Sequence, residues 1–172
     1  MKDDLMENIK NIKLIIFDFD GVFTDNRVMT SQEGIETISC WRSDGIGLNR
    51  IMKLGVKAVI VSTESNPVVS VRSAKLGIPC IQSVEDKALA VREVLSKYNV
   101  KKENTMFVGN DINDIPAFLE VEFPIGVADS YPEIYPYLVH KTTKNGGFGA
   151  VREICDLVFN SINVNCELPS KK

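Results

Sequence analysis

The sequence predicts an α/β domain built on a Rossmann-like, doubly wound parallel sheet, with a β-hairpin inserted after the first strand. Three observations carry that prediction. The chain has 172 residues, 44% hydrophobic and 25% charged. That suits one compact core, leaves no room for a second sizeable domain, and excludes a wholly disordered or fibrous chain. Short apolar runs rich in branched residues alternate with helical patterns, the signature of strands buried on both faces. A single segment breaks that rhythm with an alternation of period two.

In chain order, strand-type runs fall at 12–17, 57–61, 78–81, 105–108 and 123–127. Helical stretches lie between them. Asp44 stands where it can cap a helix ending before Gly55. Asn66-Pro67 reads as a cap followed by a first-turn proline, with Gly77 as the stop. Asp86 can cap 87–98, where Ala90, Val91, Val94, Leu95 and Tyr98 form one apolar stripe. A similar stripe runs through Val151, Ile154, Cys155 and Val158. Repeated βα units imply right-handed crossovers with helices on both faces. The exception, 27–39, alternates around Glu33-Gly34 and predicts a hairpin, part of a flap over about 22–39. The domain is expected over 1–162, with 163–172 as a flexible tail lacking apolar periodicity.

Composition narrows the function classes. Twenty basic residues against twenty-three acidic ones give a net charge of −3, so the chain has no general electrostatic reason to hold nucleic acid or an anionic membrane. No apolar run approaches the ~20 residues that span a bilayer, and the acidic start MKDDLMENIK is not a secretory signal. Cys40, Cys80, Cys155 and Cys166 lie far apart without a C-x-x-C pair. They read as free thiols of a cytoplasmic protein. With one histidine, His140, the chain lacks the clustered ligands zinc needs; His140 reads as structural.

In an open α/β sheet, ligands bind beyond the carboxyl ends of the strands. Asp18-Phe19-Asp20-Gly21 follows the first run, placing carboxylates at i and i+2. They leave the strand end in the same direction and need a cation or a proton to be tolerated together. A hard ion such as Mg²⁺ suits such oxygens. Ser62-Thr63 follows the second run, and the acidic turn Gly109–Asp114 (GNDIND) follows the fourth. Lys87 opens the helix after the third, where the helix dipole disfavours a cation. An aspartate pair, a hydroxyl, a lysine and an acidic turn thus converge on one sheet edge.

These elements, LIIFDFDGVFTD with Ser62, Lys87 and G-N-D-x-x-D in order, resemble the haloacid-dehalogenase superfamily of phosphohydrolases. The resemblance covers roughly 13–157. W-R-S-D-G-I-G at 41–47 and N-G-G-F-G-A-V-R-E at 145–153 look like its small capless branch, which acts on sugar-acid phosphates. The resemblance implies Asp18 as nucleophile and Asp20 as general acid, then base. It implies Mg²⁺ held by Asp18, the Asp20 carbonyl and Asp111, with Asp114 orienting that set. Ser62, Thr63, Lys87 and Gly21 would bind the phosphoryl oxygens. The branch forms homotetramers through its hairpins, with Phe148, Gly149 and Arg152 as candidates for closing a neighbour's site.

The octulosonate phosphatases of this branch usually continue strand two as Ser/Thr-Gly-Arg. Here the chain reads Ser62-Thr63-Glu64-Ser65-Asn66-Pro67. That departure looks like the nine-carbon phosphatases, in which residues at the spacing of Glu64, Arg72 and Lys75 contact the sugar acid. The sequence-based expectation is therefore hydrolysis of a nine-carbon 2-keto-3-deoxy sugar acid 9-phosphate, of KDN or sialic acid type. The alternatives are 3-deoxy-D-manno-octulosonate 8-phosphate hydrolysis and a non-catalytic oligomerisation module like the trailing domain of CMP-sialate synthetases. A phosphotransferase or receiver-like acceptor is disfavoured by Asp20, which would speed hydrolysis of the phospho-enzyme.

Overall fold

The computed structural model describes residues 8–163; the expected tail, apart from Asn163, lies outside them. Six parallel strands form the sheet: β1 (Leu14–Phe17), β4 (Lys57–Val61), β5 (Cys80–Ile81), β6 (Thr105–Gly109), β7 (Phe123–Gly126) and β8 (His140–Lys141). Their spatial order is β5-β4-β1-β6-β7-β8. β2 (Met29–Thr30) and β3 (Glu36–Thr37) form a separate antiparallel pair. The helices are α1 (Asp44–Lys53), α2 (Val68–Leu76), α3 (Lys87–Tyr98), α4 (Ile115–Phe118) and α5 (Ala150–Ile162).

Side-chain alternation along β1 divides the core. Ile15 and Phe17 join the cluster formed with α1, α2 and α5, including Leu48, Val69, Ile154 and Val158. Leu14 and Ile16 join the opposite cluster with Val91 and Val94 of α3 and Phe118 of α4. All of these side chains are buried. Each stabilises the fold by roughly 1.5–3 kcal/mol relative to exposure.

Most boundaries follow the sequence pattern. The Asp86 carboxylate accepts from Leu89 N at 3.0 Å and caps α3, and Gly77 ends α2 in the left-handed region. Asn66 Oδ1 accepts from Val68 N at 3.1 Å at the start of α2, although the cap position itself falls on Pro67. Two other features differ. Asp44 is not the cap of α1: Ser43 holds that position without a side-chain bond, and Asp44 turns inward to accept from Arg152 N at 3.1 Å. The edge strand β8 also escapes the pattern, because two half-buried residues are too short to carry a period.

Candidate active site

Parallel register brings three strand ends to one level. Phe17 of β1 pairs with Ile60 of β4 and Val108 of β6, so the segments beginning at Asp18, Ser62 and Asn110 leave the sheet side by side. Asp18 is buried, and its carboxylate Oδ1 accepts from Phe19 N at 2.7 Å. Lys87 Nζ lies 3.0 Å from the same oxygen and 2.6 Å from Asp114 Oδ1. Asp114 Oδ2 in turn accepts from Asn110 N at 2.8 Å and Asp111 N at 3.3 Å. A lysine at a helix start, unfavourable for the dipole, is here 3% exposed and held between two carboxylates. Burial alone would lower its pKa; Asp18 and Asp114 outweigh burial and raise it. Burial, then the Asp114 charge, push Asp18 up to about 7 against the pull of Lys87.

Asp20 sits at the rim, half-buried. Burial, then the Glu64 charge, raise its pKa, while the Thr24 hydroxyl pulls it back. Thr24 organises this turn: its Oγ1 accepts from Gly21 N at 3.1 Å and Asn26 N at 3.2 Å and donates to Asp20 Oδ1 at 3.4 Å. Gly21 adopts φ +77°, and a Cβ there would run into the Asn110 side chain. Behind it, Gly147 N donates to Val22 O at 3.1 Å, and a Cβ on Gly146 would collide with the Gly21 carbonyl. The glycine pair thus lets a distant loop support the aspartate turn, a role its sequence motif does not reveal.

The loop after β4 is tied internally. Ser62 Oγ accepts from Glu64 N at 3.1 Å, and Glu64 Oε1 accepts from Ser65 N and Asn66 N at 2.7 Å each. A cleft of about 80 Å³ opens over these elements, lined by Asp18, Asp20, Asn26, Ser62, Thr63, Asn110, Asp111 and Asn113. Lys87, Asp114 and Gly21 support this cleft without lining it. Glu64, Arg72 and Lys75 lie outside its lining. Arg72 Nη2 donates to the Trp41 carbonyl at 3.1 Å, and Lys75 is exposed. Phe148, Gly149 and Arg152 line a different cavity, of about 600 Å³, together with Trp41. Sequence reasoning misses Asn110, which lines the cleft, and Thr24, which organises the aspartate turn; both are uncharged and offer no titratable group to draw notice.

Among the described residues, no three His, Cys, Asp or Glu side chains form a metal cluster. The expected donors are instead two carboxylates, Asp18 and Asp111, and the Asp20 carbonyl. This all-oxygen set suits a hard cation. The charge balance fits one as well: Asp18 and Asp114 share the Lys87 ammonium, while Asp20 and Asp111 add two further carboxylates at the cleft.

Comparison with known proteins agrees with this architecture. Residues 62–154 match the haloacid dehalogenase-like hydrolase family. The chain is 33% identical over 156 residues to 3-deoxy-D-manno-octulosonate 8-phosphate phosphatase of Escherichia coli K12, covering 90% of this chain and 83% of that one. The Yersinia pestis phosphatase of the same name superposes with a TM-score of 0.90 at 30% identity, covering 94% and 88%. The Moraxella catarrhalis phosphatase, solved with magnesium, phosphate and a KDO molecule, gives 0.89 at 31%, covering 94% and 93%. The chain belongs to the haloacid dehalogenase-like hydrolases. Within that family it is a phosphatase. No helix among the described residues is long and apolar enough to cross a membrane.

Proposed function

We propose that this phosphatase removes phosphate from a 2-keto-3-deoxy sugar acid phosphate, with 3-deoxy-D-manno-octulosonate 8-phosphate as the preferred substrate. The observation that carries the reading is the convergence of Asp18, Lys87, Ser62 and Asp111 at one sheet edge, in a chain similar along its length to phosphatases of that substrate. Phe19 N and Lys87 both hold Asp18 Oδ1, which leaves Oδ2 to attack phosphorus. The phosphorus–oxygen bond to the sugar breaks as Asp20 delivers its proton to the leaving oxygen. Water then cleaves the aspartyl-phosphate, with Asp20 taking the proton back. The raised pKa of Asp20 suits a group that must carry a proton into the first step.

A phosphate dianion entering beside carboxylates meets strong repulsion. At an effective dielectric near 20, each unit pair 4 Å apart is worth roughly 4 kcal/mol. Lys87 offsets part of this through Asp18. Mg²⁺ held by Asp18, Asp111 and the Asp20 carbonyl would supply the remaining charge balance when bound. Ser62, Thr63 and the amides near Gly21 would bind phosphoryl oxygens, and Asp114 would orient both Lys87 and the Asp111 turn.

The nine-carbon reading rests on Glu64 in place of the usual arginine. Against it, one Glu64 oxygen is engaged by the amides of its own loop, and Arg72 is engaged by Trp41. The eight-carbon substrate is therefore placed first. The hairpin's exposed Val28, Met29 and Ile35 support a homotetramer as the working form. The test is a panel of sugar-acid and aryl phosphates, with Mg²⁺ and with chelator. The highest kcat/KM on the eight-carbon ester supports the reading; a preference for the nine-carbon ester reverses the order of the two. No turnover of any sugar-acid phosphate refutes the substrate class.

A further inference from the structure

The hairpin strands are two residues long each, and the pairs are Met29 with Thr37 and Thr30 with Glu36. So short a ribbon is marginal by itself in water. Cross-strand partners share a face, so Glu36 and Thr30 occupy one side while Met29 and Thr37 occupy the other. Met29 is 66% exposed. On the opposite face, Glu36 Oε2 accepts from Asn66 Nδ2 at 3.0 Å. Asn66 is used at both ends, because its Oδ1 accepts from Val68 N at the start of α2.

Asn66 belongs to the loop after β4 that also carries Ser62, Thr63 and Glu64. The far side of this loop is anchored: Ser83 N donates to Glu64 O at 3.0 Å, and Val84 N to Ser62 O at 3.1 Å. Gln82 Nε2 reaches Ser65 O at 2.9 Å. Glu36 supplies the anchor on the hairpin side. Ser62 and Thr63 of the β4 loop line the cleft, so the bond ties the hairpin to a loop that borders the site.

We propose that the Glu36–Asn66 hydrogen bond is a latch that fixes the hairpin as a wall of the substrate entrance, making both residues positioning residues for the bulky part of the substrate. The inference rests on the sugar-acid phosphatase reading for its kinetic consequence but not for the latch itself. A hydrogen bond to a charged acceptor is among the stronger ones, and its loss frees the ribbon without touching Asp18, Lys87 or Ser62.

The variants separate the latch from other roles. Asn66→Asp keeps an oxygen for the Val68 amide but sets two carboxylates against each other. Glu36→Gln keeps an acceptor for Asn66. In the double variant the new amide on the hairpin can donate to the new carboxylate on the β4 loop, so the bond re-forms with its direction reversed. Hydrogen exchange of the full-length enzyme reads the latch directly. Amides of 27–39 are expected to exchange faster, about tenfold, in Asn66→Asp and Glu36→Ala. Near-native exchange is expected in Glu36→Gln and in the double variant. Unchanged exchange in Asn66→Asp overturns the latch whatever the substrate proves to be. In parallel, the kcat/KM ratio of the eight-carbon ester over p-nitrophenyl phosphate should fall about tenfold in Asn66→Asp, through KM, and recover in the double variant. Faster exchange with an unaltered ratio overturns the positioning role. Loss of activity in Glu36→Gln overturns it too, since that result would assign Glu36 a direct charge contact. Failure of every variant and the parent on sugar acids refutes the substrate reading and leaves the exchange result standing.

Discussion

Asp44 is a carboxylate that the chemistry does not use, and replacing it by asparagine should stabilise the protein above neutral pH. The side chain is 1% exposed. Oδ1 accepts from Arg152 N, while Oδ2 is buried without a hydrogen-bond partner. Burial pushes its pKa from 3.8 up to about 7, against the pull of the Arg152 amide and the Arg72 and Arg152 charges. Between those two values the folded chain retains a proton that the unfolded chain has released, so stability falls as pH rises through the window. A gap of that size corresponds to ~4 kcal/mol, fully expressed above pH ~7. In Asp44→Asn the side-chain carbonyl still accepts from Arg152 N, and a neutral amide stands where Oδ2 was. Urea unfolding of both proteins at intervals from pH 4 to 8 checks this. The variant should match the parent near pH 4 and exceed it by a few kcal/mol at pH 8. A difference that stays constant with pH, or a variant less stable at pH 8, would refute the claim that Asp44 is ionised there at a cost to the fold.

Asp18→Asn should abolish phosphate release by several orders of magnitude with the far-ultraviolet circular dichroism unchanged, because the attacking oxygen is lost while the Phe19 amide keeps its acceptor. Lys87→Met leaves Asp18 and Asp114 buried without their ammonium. It should cost about 3–5 kcal/mol in urea unfolding and lower kcat by orders of magnitude, and full activity would remove Lys87 from the chemistry. Gly146→Ala drives a methyl group into the Gly21 carbonyl. Expected is a fall in melting temperature together with a loss of kcat, since the displaced backbone is the aspartate turn; a drop in stability alone would mean that the turn does not depend on this loop.

Asp18, Asp20, Ser62, Lys87 and Asp111 are legible in the sequence because each follows or opens a regular element, and parallel register converts those positions into neighbours. The main strand runs and the four longer helices are legible for the same reason: each run is long enough to show a period or is flanked by a cap, although of the run 78–81 only Cys80–Ile81 pairs, as β5. What is not legible is tertiary in origin. β8 is too short, and its pairing with β7 depends on where the 3₁₀ segment Pro132–Tyr137 returns the chain. Asp44 looks like a cap on sequence, but the Arg152 amide, remote in sequence, claims its carboxylate. Glu36 and Asn66 meet only because the hairpin folds over the β4 loop. Arg72 and Lys75 share helical spacing, yet Arg72 is drawn to the Trp41 carbonyl while Lys75 stays in solvent.

The same contrast separates chemistry from selection within the site. The floor is finished by one chain: Asp18, Lys87 and Asp114 are 5%, 3% and 0% exposed and bound to one another. Such a set leaves little freedom to adapt to the sugar beyond the phosphate. The residues that the sequence pattern nominates for choosing that sugar are exposed or already engaged locally. Selection therefore falls to what stands above the floor, namely the hairpin. Altering the sugar preference should need changes at Glu36, Asn66 or the hairpin length, whereas exchanges at Asp18, Asp20, Lys87 or Asp111 should lower turnover of every phosphate alike.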